Sequence, residues 1–298
     1  MTTETRTPAE ASEAYAAWLE RQPLAANTRR TYRVRVAQYC VYLATTPVAA
    51  GDPLRDIHAA SYAARDYRTW LKTVRKAKPA SVNLSLAALD HFYRFLGLDP
   101  PDVAREDLPQ AAPRALEPPE QVAFLRAVER SRSARDRAIA HLLFYTGLRI
   151  GECAALDVDD VALSARKGLV VVRRGKGDAY REVPLNAAAR LSLDGYVQSR
   201  RERADAAGEP ALFLNPHGRR LSMRAIDLVV REFGRDAGLA LSAHVLRHTC
   251  LTALVRNGND LVLVAEIAGH RRLETTRRYS LPSARDRAAA MDGVRVDY

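Results

Sequence analysis

Six prolines crowd the segment between Leu98 and Pro119, and no other stretch limits the possible architecture as strongly. They occupy positions 100, 101, 109, 113, 118 and 119, with acidic residues among them. Proline fixes φ and lacks a backbone N–H, so a segment this rich in proline favours neither helix nor strand and tends to be extended. The sequence therefore predicts two domains, residues 1–108 and 118–298, joined by a linker at 109–117.

The segment before these prolines has the periodicity of helices and few signs of strands. Asn27 and Thr28 form a predicted N-cap ahead of apolar and aromatic residues that are spaced for one face of a helix. Gly97 is placed to end the last helix of the segment. Four helices of this length form a small bundle, and residues 8–97 are predicted to do so.

The segment after the prolines combines helices with short strands. Residues 159–163, 169–173 and 180–185 alternate polar and apolar positions or run apolar over strand lengths, and glycines and charged residues separate them. These patterns predict a small antiparallel sheet. The predicted fold class is therefore mainly α-helical with one small antiparallel sheet: a helical bundle followed by an α+β domain.

The chain is strongly basic, with a formal net charge of +11 and a pI near 9.9. Such a charge favours a polyanionic partner, with nucleic acid as the first candidate and an acidic membrane surface as the second. No apolar run reaches the roughly 20 residues that span a bilayer, and the N-terminus lacks the pattern of a signal peptide. We therefore expect a cytoplasmic protein, associated with the nucleoid, that does not insert into a membrane.

A run of basic residues lies on a predicted helix of the first domain and in the turn after it. A charged helix face is often only solvated, and this interpretation stays open here. The alternative is a face that contacts phosphates and supplies affinity that depends on salt more than on base sequence. The residues are Arg65, Arg68, Lys72, Arg75 and Lys76.

Three residues near the C-terminus, His244, Arg247 and His248, fall at spacings i, i+3 and i+4. A helix places them on one face. A guanidinium beside two imidazoles suits a phosphate, because arginine is a permanently charged fork of donors and histidine exchanges protons near neutral pH. The two histidines also match half of a zinc site, but the sequence offers no third ligand and the arginine would repel a cation. We expect no metal and no other cofactor.

Further motifs stand in order around this helix. The run T-G-L-R-I-G-E contains Arg149, the turn R-G-K-G-D contains Lys176, A-G-H ends at His270, and T-T-R-R-Y ends at Tyr279. Singly, these are modest signals, since a lone arginine or a lysine in a glycine turn is usually just exposed. In this order, with R-E-V-P-L and H-V-L-R-H-T between them, they resemble the tyrosine recombinase family of phage integrases and Xer proteins. The N-terminal third is similar, more weakly, to the core-binding domain of that family.

The resemblance implies an enzyme that cuts DNA with a tyrosine and requires neither metal nor ATP. Arg149 and Arg247 would then neutralise the scissile phosphate, and Tyr279 would attack it to form a 3′-phosphotyrosyl bond. His244 would accept the tyrosine proton, and Lys176 would protonate the departing 5′-oxygen. The family position of the last histidine implies a donor to the phosphate. The implied catalytic set is Arg149, Lys176, His244, Arg247, His270 and Tyr279.

The resemblance also implies the partners. They are double-stranded DNA with short inverted-repeat core sites and a tetramer of this chain on paired sites, or a hetero-oligomer. A helix before the H-x-x-R run enters the major groove in the family, so Arg224 and Arg231 become candidate DNA contacts. An ordinary solvated helix face explains these two arginines nearly as well. A helix at 284–291 would dock on a neighbouring protomer, or pack within its own chain.

Two other functions are compatible with parts of the sequence. A type IB topoisomerase uses similar chemistry as a monomer, but the compact N-terminal domain and the tail after Tyr279 argue against it. A DNA-binding accessory protein with an inactive site is the other alternative, and the complete catalytic set argues against it.

Overall fold

The computed structural model describes residues 7–46, 51–108, 114–173, 180–202, 208–270, 272–282 and 284–292. The chain divides into two compact units, Met1–Pro109 and Gln110–Tyr298, and each has its own hydrophobic core. No helix within the described ranges combines the length and apolar character needed to span a bilayer.

The described residues of the first unit form four helices, as predicted. The second helix begins at Ala26 with Ala25 as its N-cap, so the predicted N-cap at Asn27 and Thr28 is wrong. Thr7 and Glu10 form a capping box at the start of the first, and Asp56 accepts two backbone N–H groups at the start of the third. The core is rich in aromatic residues, and the hydroxyls of Tyr39 and Tyr93 lie 2.7 Å apart within it. The helices are α1 (Pro8–Leu19), α2 (Ala26–Thr45), α3 (Ile57–Thr73) and α4 (Pro79–Phe95).

Among its described residues, the second unit combines nine α-helices and one short 3-10 helix, Val158–Asp160, with one three-stranded sheet. The sheet order is β1-β2-β3 and both pairs are antiparallel, with Val161 opposite Val170 and Val172 opposite Arg181. The predicted fold class is confirmed. The strands are β1 (Val161–Leu163), β2 (Gly168–Val172) and β3 (Arg181–Pro184). The helices are α5 (Pro118–Glu129), α6 (Ala134–Thr146), α7 (Ile150–Ala155), α8 (Ala187–Arg201), α9 (Met223–Asp236), α10 (Ala243–Arg256), α11 (Leu261–Ala268), α12 (Leu273–Arg277) and α13 (Ala284–Asp292).

The proline-rich connector, residues 98–119, is described on both sides of residues 109–113, and hydrogen bonds hold each described part; residues 109–113 lie outside the described residues. Asp102 N–H donates to Ser61 Oγ at 3.1 Å, and Glu106 exchanges two hydrogen bonds with the Asn83 side chain. Leu116, inside the predicted linker, is buried in the second unit, and its N–H donates to Thr249 Oγ1 at 2.9 Å. Extended backbone rich in proline can still pack, because its remaining N–H groups find side-chain acceptors.

Two helices of the second unit end in left-handed glycines, and these ends form the floor of the candidate site. Gly147 follows α6 with φ +62°, and Gly269 follows α11 with the same φ. Glycine adopts this conformation without steric cost and so ends a helix sharply. The carbonyl groups at these two ends are left unpaired by the helices and become acceptors for side chains.

Candidate active site

Arg149 is held by its own helix and by the end of α11. It is the N-cap residue of α7, where its N–H donates to Glu152 Oε2 at 2.8 Å and its guanidinium donates to Glu152 Oε1 at 2.8 Å. A second guanidinium nitrogen donates to Gly269 O at 3.0 Å. The side chain is partly exposed and is oriented by its two hydrogen bonds, so it is not an unconstrained surface arginine.

Arg247 lies deeper, on the inward face of α10, and is 4% exposed. Its guanidinium donates to Gly147 O at 2.6 Å and to Ala268 O at 2.7 Å. Burial, with the nearby charge of Arg149, lowers the pKa of Arg247 to about 10, so the guanidinium remains charged at neutral pH. Ala268 and Gly269 are adjacent, and the two arginines therefore converge on neighbouring carbonyls.

His270 follows the α11 terminus and connects Arg247 to the segment that carries the tyrosine. Its Nε2 lies 3.0 Å from Arg247 Nη2, and its Nδ1 lies 2.8 Å from Thr276 Oγ1. Because arginine only donates, Nε2 must accept and the proton belongs on Nδ1. Burial and the charge of Arg247 lower the pKa of His270 to about 4. In this structure the Nε2 of His270 accepts from Arg247, and the donor role toward the phosphate that the family position implies stays a prediction.

Tyr279 is buried, with 5% of its surface exposed, and its hydroxyl lies 3.0 Å from His248 Nδ1. Burial and the charge of His244 lower the pKa of His248 to about 3, so the imidazole is neutral near pH 7. The phenol pKa is raised by burial, although Arg247 and Arg278 oppose the shift. Burial therefore outweighs the effect of the basic surroundings on this pKa.

His244 is exposed one helical turn from His248, and the two ring centroids are 4.0 Å apart. The pKa of His244 is lowered by partial desolvation and by the charge of Arg247. The prediction that both histidines share one face of α10 with Arg247 is fulfilled. The histidine that contacts the Tyr279 hydroxyl is His248, because the position of Tyr279 comes from the packing of the segment after α11 and not from spacing along α10.

Arg181 belongs to the site, although the sequence pattern identified it only as part of the R-E-V-P-L run. It is 7% exposed, and its guanidinium donates to both carboxylate oxygens of Glu152, at 3.0 and 2.7 Å. Burial disfavours the charged carboxylate, but hydrogen bonds and charge from Arg181 and Arg149 hold the pKa of Glu152 below its usual value. A signal was present: Arg181 and Val183 alternate inward with outward Glu182, and an arginine on the inward side of a strand is usually paired.

Lys176 lies outside the described residues. The strands on either side of it, β2 and β3, pair antiparallel up to Val172 and Arg181. Within the described ranges, no group of three or more His, Cys, Asp and Glu side chains converges as metal ligands would.

The basic residues of the first unit fall into two groups. Arg65 pairs with Asp102 at 2.7 Å, and Arg68 and Lys72 both pair with Glu106, at 2.6 and 3.0 Å. These three side chains thus form ion pairs with the first part of the connector, at Asp102 and Glu106.

The other basic residues of this unit lie in the turn after α3. The guanidinium of Arg75 lies over the Trp70 ring, 5.7 Å from its centroid, and Lys76 is exposed. Lys76 has φ +48°, which no other non-glycine among the described residues shares in sign.

The candidate DNA contacts of the second unit lie on the exposed side of α9. This helix buries Ile226 and Val230, and Arg224 and Arg231 are on the other side. Arg231 Nε donates to Asp227 Oδ2 at 2.5 Å, four residues away. The pairing orders Arg231 without removing it from solvent.

Comparison with known proteins gives matches over both units. Residues 114–285 match the model of the phage integrase family, and residues 13–98 match that of the phage integrase N-terminal SAM-like domain. The chain is 33% identical over 289 residues to the tyrosine recombinase XerD of Mycobacterium leprae, covering 87% of each chain. It is 36% identical over 210 residues to the tyrosine recombinase XerA of Thermococcus kodakarensis, covering 67% of this chain and 70% of the relative.

Solved structures give the same result for the fold. The XerH site-specific recombinase in a post-cleavage complex with a palindromic difH substrate aligns with a TM-score of 0.74 at 20% identity, covering 93% of this chain and 84% of that one. A XerA recombinase crystal structure is 26% identical with a TM-score of 0.55, covering 98% of this chain and all of that one. The motifs, the site and these matches together assign the chain to the phage integrase family, the tyrosine recombinases.

Proposed function

We propose that this chain is a site-specific recombinase that cleaves and rejoins DNA strands at short inverted-repeat core sites. The observation that carries the proposal is the pair of guanidiniums, Arg149 and Arg247, held on adjacent carbonyls beside Tyr279. Two like charges held this close repel each other when solvent is largely excluded. A phosphodiester bound between them would relieve that repulsion and place its phosphorus near the tyrosine.

The chemistry we propose is phosphoryl transfer to tyrosine. The Tyr279 hydroxyl attacks the phosphorus, the bond to the 5′-oxygen breaks, and a 3′-phosphotyrosyl ester forms. Lys176 delivers a proton to the departing 5′-oxygen. Attack of a 5′-hydroxyl from a partner strand reverses these steps. Because the ester retains the bond energy, rejoining needs no ATP.

The phenol proton passes to a histidine of α10, and we assign this role to His244. His248 holds the hydroxyl in the present state, but its pKa of about 3 makes it a poor base near neutral pH. His244 is exposed, so a DNA backbone can reach it, and it lies in ring contact with His248. His248 is thus assigned the role of orienting the hydroxyl before DNA binds.

The substrate we propose is double-stranded DNA, bound by a tetramer. Exchange between two duplexes breaks four strands, and each active site has one tyrosine, so four protomers are required, either copies of this chain or a mixture with a related recombinase. The net charge of +11 favours such a partner, and a protein acting on chromosomal sites is expected at the nucleoid.

Four exposed basic side chains are the best candidates for DNA contacts. Arg224 and Arg231 lie on the solvent side of α9, where a helix can present them to a groove, and Arg75 and Lys76 project from the turn after α3. The remaining three, Arg65, Arg68 and Lys72, can contact phosphates only in competition with the carboxylates that already pair with them.

Covalent trapping tests this function. The protein is incubated with a nicked duplex that carries the core site, taken from DNA flanking its gene, so that the cleaved strand end diffuses away. We expect an adduct that resists denaturation with the wild type and none with Tyr279→Phe. Relaxation of supercoiled DNA that lacks the site would favour a topoisomerase, and binding without an adduct would favour an inactive accessory protein.

A further inference from the structure

Arg181 is a buried guanidinium that takes no part in the reaction steps above. It is the first residue of β3 and projects inward, and three hydrogen bonds join its guanidinium to groups of the site. Two go to the carboxylate of Glu152, at 3.0 and 2.7 Å, and one goes to Ile267 O near the end of α11, at 2.9 Å. Arginine suits this position because its rigid fork can grip both carboxylate oxygens at once.

The carboxylate that Arg181 grips is the one that orients Arg149. Each oxygen of Glu152 receives one donor from each arginine residue: Oε1 from both guanidiniums, and Oε2 from the Arg181 guanidinium and the Arg149 backbone N–H. The two hydrogen bonds from Arg181 fix the plane of the Glu152 carboxylate, and this fixes the direction in which its remaining lone pairs point toward Arg149. Without that grip, the carboxylate can rotate and carry the Arg149 guanidinium with it.

Arg181 also contacts the floor on which both phosphate-binding arginines rest. Its bond to Ile267 O lies just before the carbonyls of Ala268 and Gly269, which accept from Arg247 and Arg149. Its guanidinium packs so closely on Gly269 that a Cβ there would approach Nη1 to 2.8 Å. The strand, the carboxylate and the helix end are therefore tied together by one side chain.

The geometry points to Arg181 as a positioning residue for the cleavage reaction: through Glu152 and the end of α11 it sets the direction of the Arg149 guanidinium toward the scissile phosphate. It touches no substrate itself. The inference rests on the proposed function, since it assigns Arg181 a part in that reaction. It differs from a purely structural role, in which Arg181 only joins β3 to α11 and its loss lowers stability without altering how the phosphate charge is neutralised.

A neutral substrate separates these two roles. In a methylphosphonate linkage at the scissile position, a methyl group replaces one non-bridging oxygen and removes the negative charge that Arg149 neutralises. A variant that is slow because its Arg149 guanidinium is misdirected should therefore regain its cleavage rate relative to the wild type on this substrate. A variant whose defect is poor folding should remain equally impaired on both substrates.

The test compares Arg181→Lys with three other proteins. Arg181→Lys keeps the charge and loses the fork, and Arg149→Ala is the reference for lost neutralisation. Arg200→Lys is the matched control, because Arg200 is also 7% exposed but donates to the carbonyls of Ala211 and Glu209, away from the site. Folding is checked by thermal melting, and DNA affinity by gel shift, before single-turnover cleavage is measured on both substrates.

We expect Arg181→Lys to cleave the ordinary phosphodiester about 100-fold more slowly than the wild type, the size of effect that a misplaced group produces. On the methylphosphonate, its rate relative to the wild type should return to within about threefold, in parallel with Arg149→Ala. Arg200→Lys should match the wild type on both substrates. If Arg181→Lys does not fold, Glu152→Gln, which keeps the shape and removes the charge, is expected to give the same recovery.

Two results would overturn the inference and leave the proposed function intact: wild-type cleavage by Arg181→Lys, or an equal loss on both substrates. The inference would also fail if Arg181→Lys recovered only on a substrate with a 5′-bridging sulfur. The thiolate of that substrate leaves without an acid, so such a recovery would mean that Arg181 acts through Lys176. Absence of any adduct with the wild type would overturn the proposed function itself, and the inference with it.

Discussion

Replacing Gly269 by alanine should cost more stability than its backbone conformation alone explains. Gly269 has φ +62°, and a non-glycine residue there costs about 1–2 kcal/mol. A Cβ would also approach Arg181 Nη1 to 2.8 Å, closer than real contacts allow, and Cζ to 3.0 Å. An arginine at the surface would move aside, but this one is buried and bound to Glu152 and to Ile267 O.

The second cost can be estimated from what Arg181 must give up. Moving its guanidinium away from Gly269 breaks at least one hydrogen bond to a charged partner, worth about 1.5–3 kcal/mol. Gly269→Ala should therefore lower the free energy of unfolding by about 2.5–5 kcal/mol in all. Gly258 is the matched control, since it has φ +81° and an added Cβ would meet nothing within 4 Å. Gly258→Ala should lose only the backbone cost, about 1–2 kcal/mol.

Urea denaturation followed by far-UV circular dichroism measures both losses. The chain has two tryptophans, Trp18 and Trp70, and both lie in the first unit, so tryptophan fluorescence reports that unit separately. We expect the fluorescence transition to stay in place in both variants while the dichroism transition shifts. Equal losses in Gly269→Ala and Gly258→Ala would refute the claim that Arg181 is fixed against Gly269.

The other predictions concern pH, the proton acceptor and DNA contacts. The pKa of His248 falls from 6.5 to about 3 on folding, so the unfolded chain binds a proton at this residue at a higher pH than the folded chain does. The free energy of unfolding should therefore decline as pH drops below about 6.5. Urea titrations should show a smaller decline in His248→Gln. The single-turnover cleavage rate should fall about 100-fold or more in His244→Gln, because the proton acceptor is removed. It should fall less than about tenfold in His248→Gln, which keeps an acceptor for the hydroxyl. Equal losses in the two variants would contradict the assignment of His244 as the proton acceptor. In binding measured against salt concentration, Lys76→Ala should reduce the slope of log K by about 0.9, and Arg68→Ala, already paired with Glu106, should change it little.

The sequence predicted those parts of the fold that depend on local chemistry. Helical periodicity predicted the four-helix bundle, and short apolar or alternating runs predicted the strands. Gly147 ends α6 in a left-handed conformation, and Arg149 stands at the start of the next helix. These features follow from preferences of residues near each other in the chain, which a single sequence contains.

Contacts between distant segments were harder to predict. His244 and His248 lie one helical turn apart on the same face of α10, so spacing along the helix does not show which of them meets the tyrosine. The packing of the segment after α11 brings Tyr279 to His248. Arg68 sat in a basic run that suggested phosphate contacts, yet it pairs with Glu106, 38 residues away. Net charge indicates that a protein favours a polyanionic partner, but it does not show which charged side chains are already paired within the protein.

The identity of the nucleophile is the central claim, and mass spectrometry of the trapped adduct tests it most directly. The adduct is formed with DNA labelled separately at each end of the cleaved strand, digested with trypsin and nuclease, and analysed for the peptide that carries nucleotide. We predict that the modified peptide is YSLPSAR, residues 279–285, which contains one tyrosine, and that it holds the 3′ end of the cleaved strand. A nucleotide on any other peptide, or attachment through the 5′ end, would contradict the assignment of Tyr279.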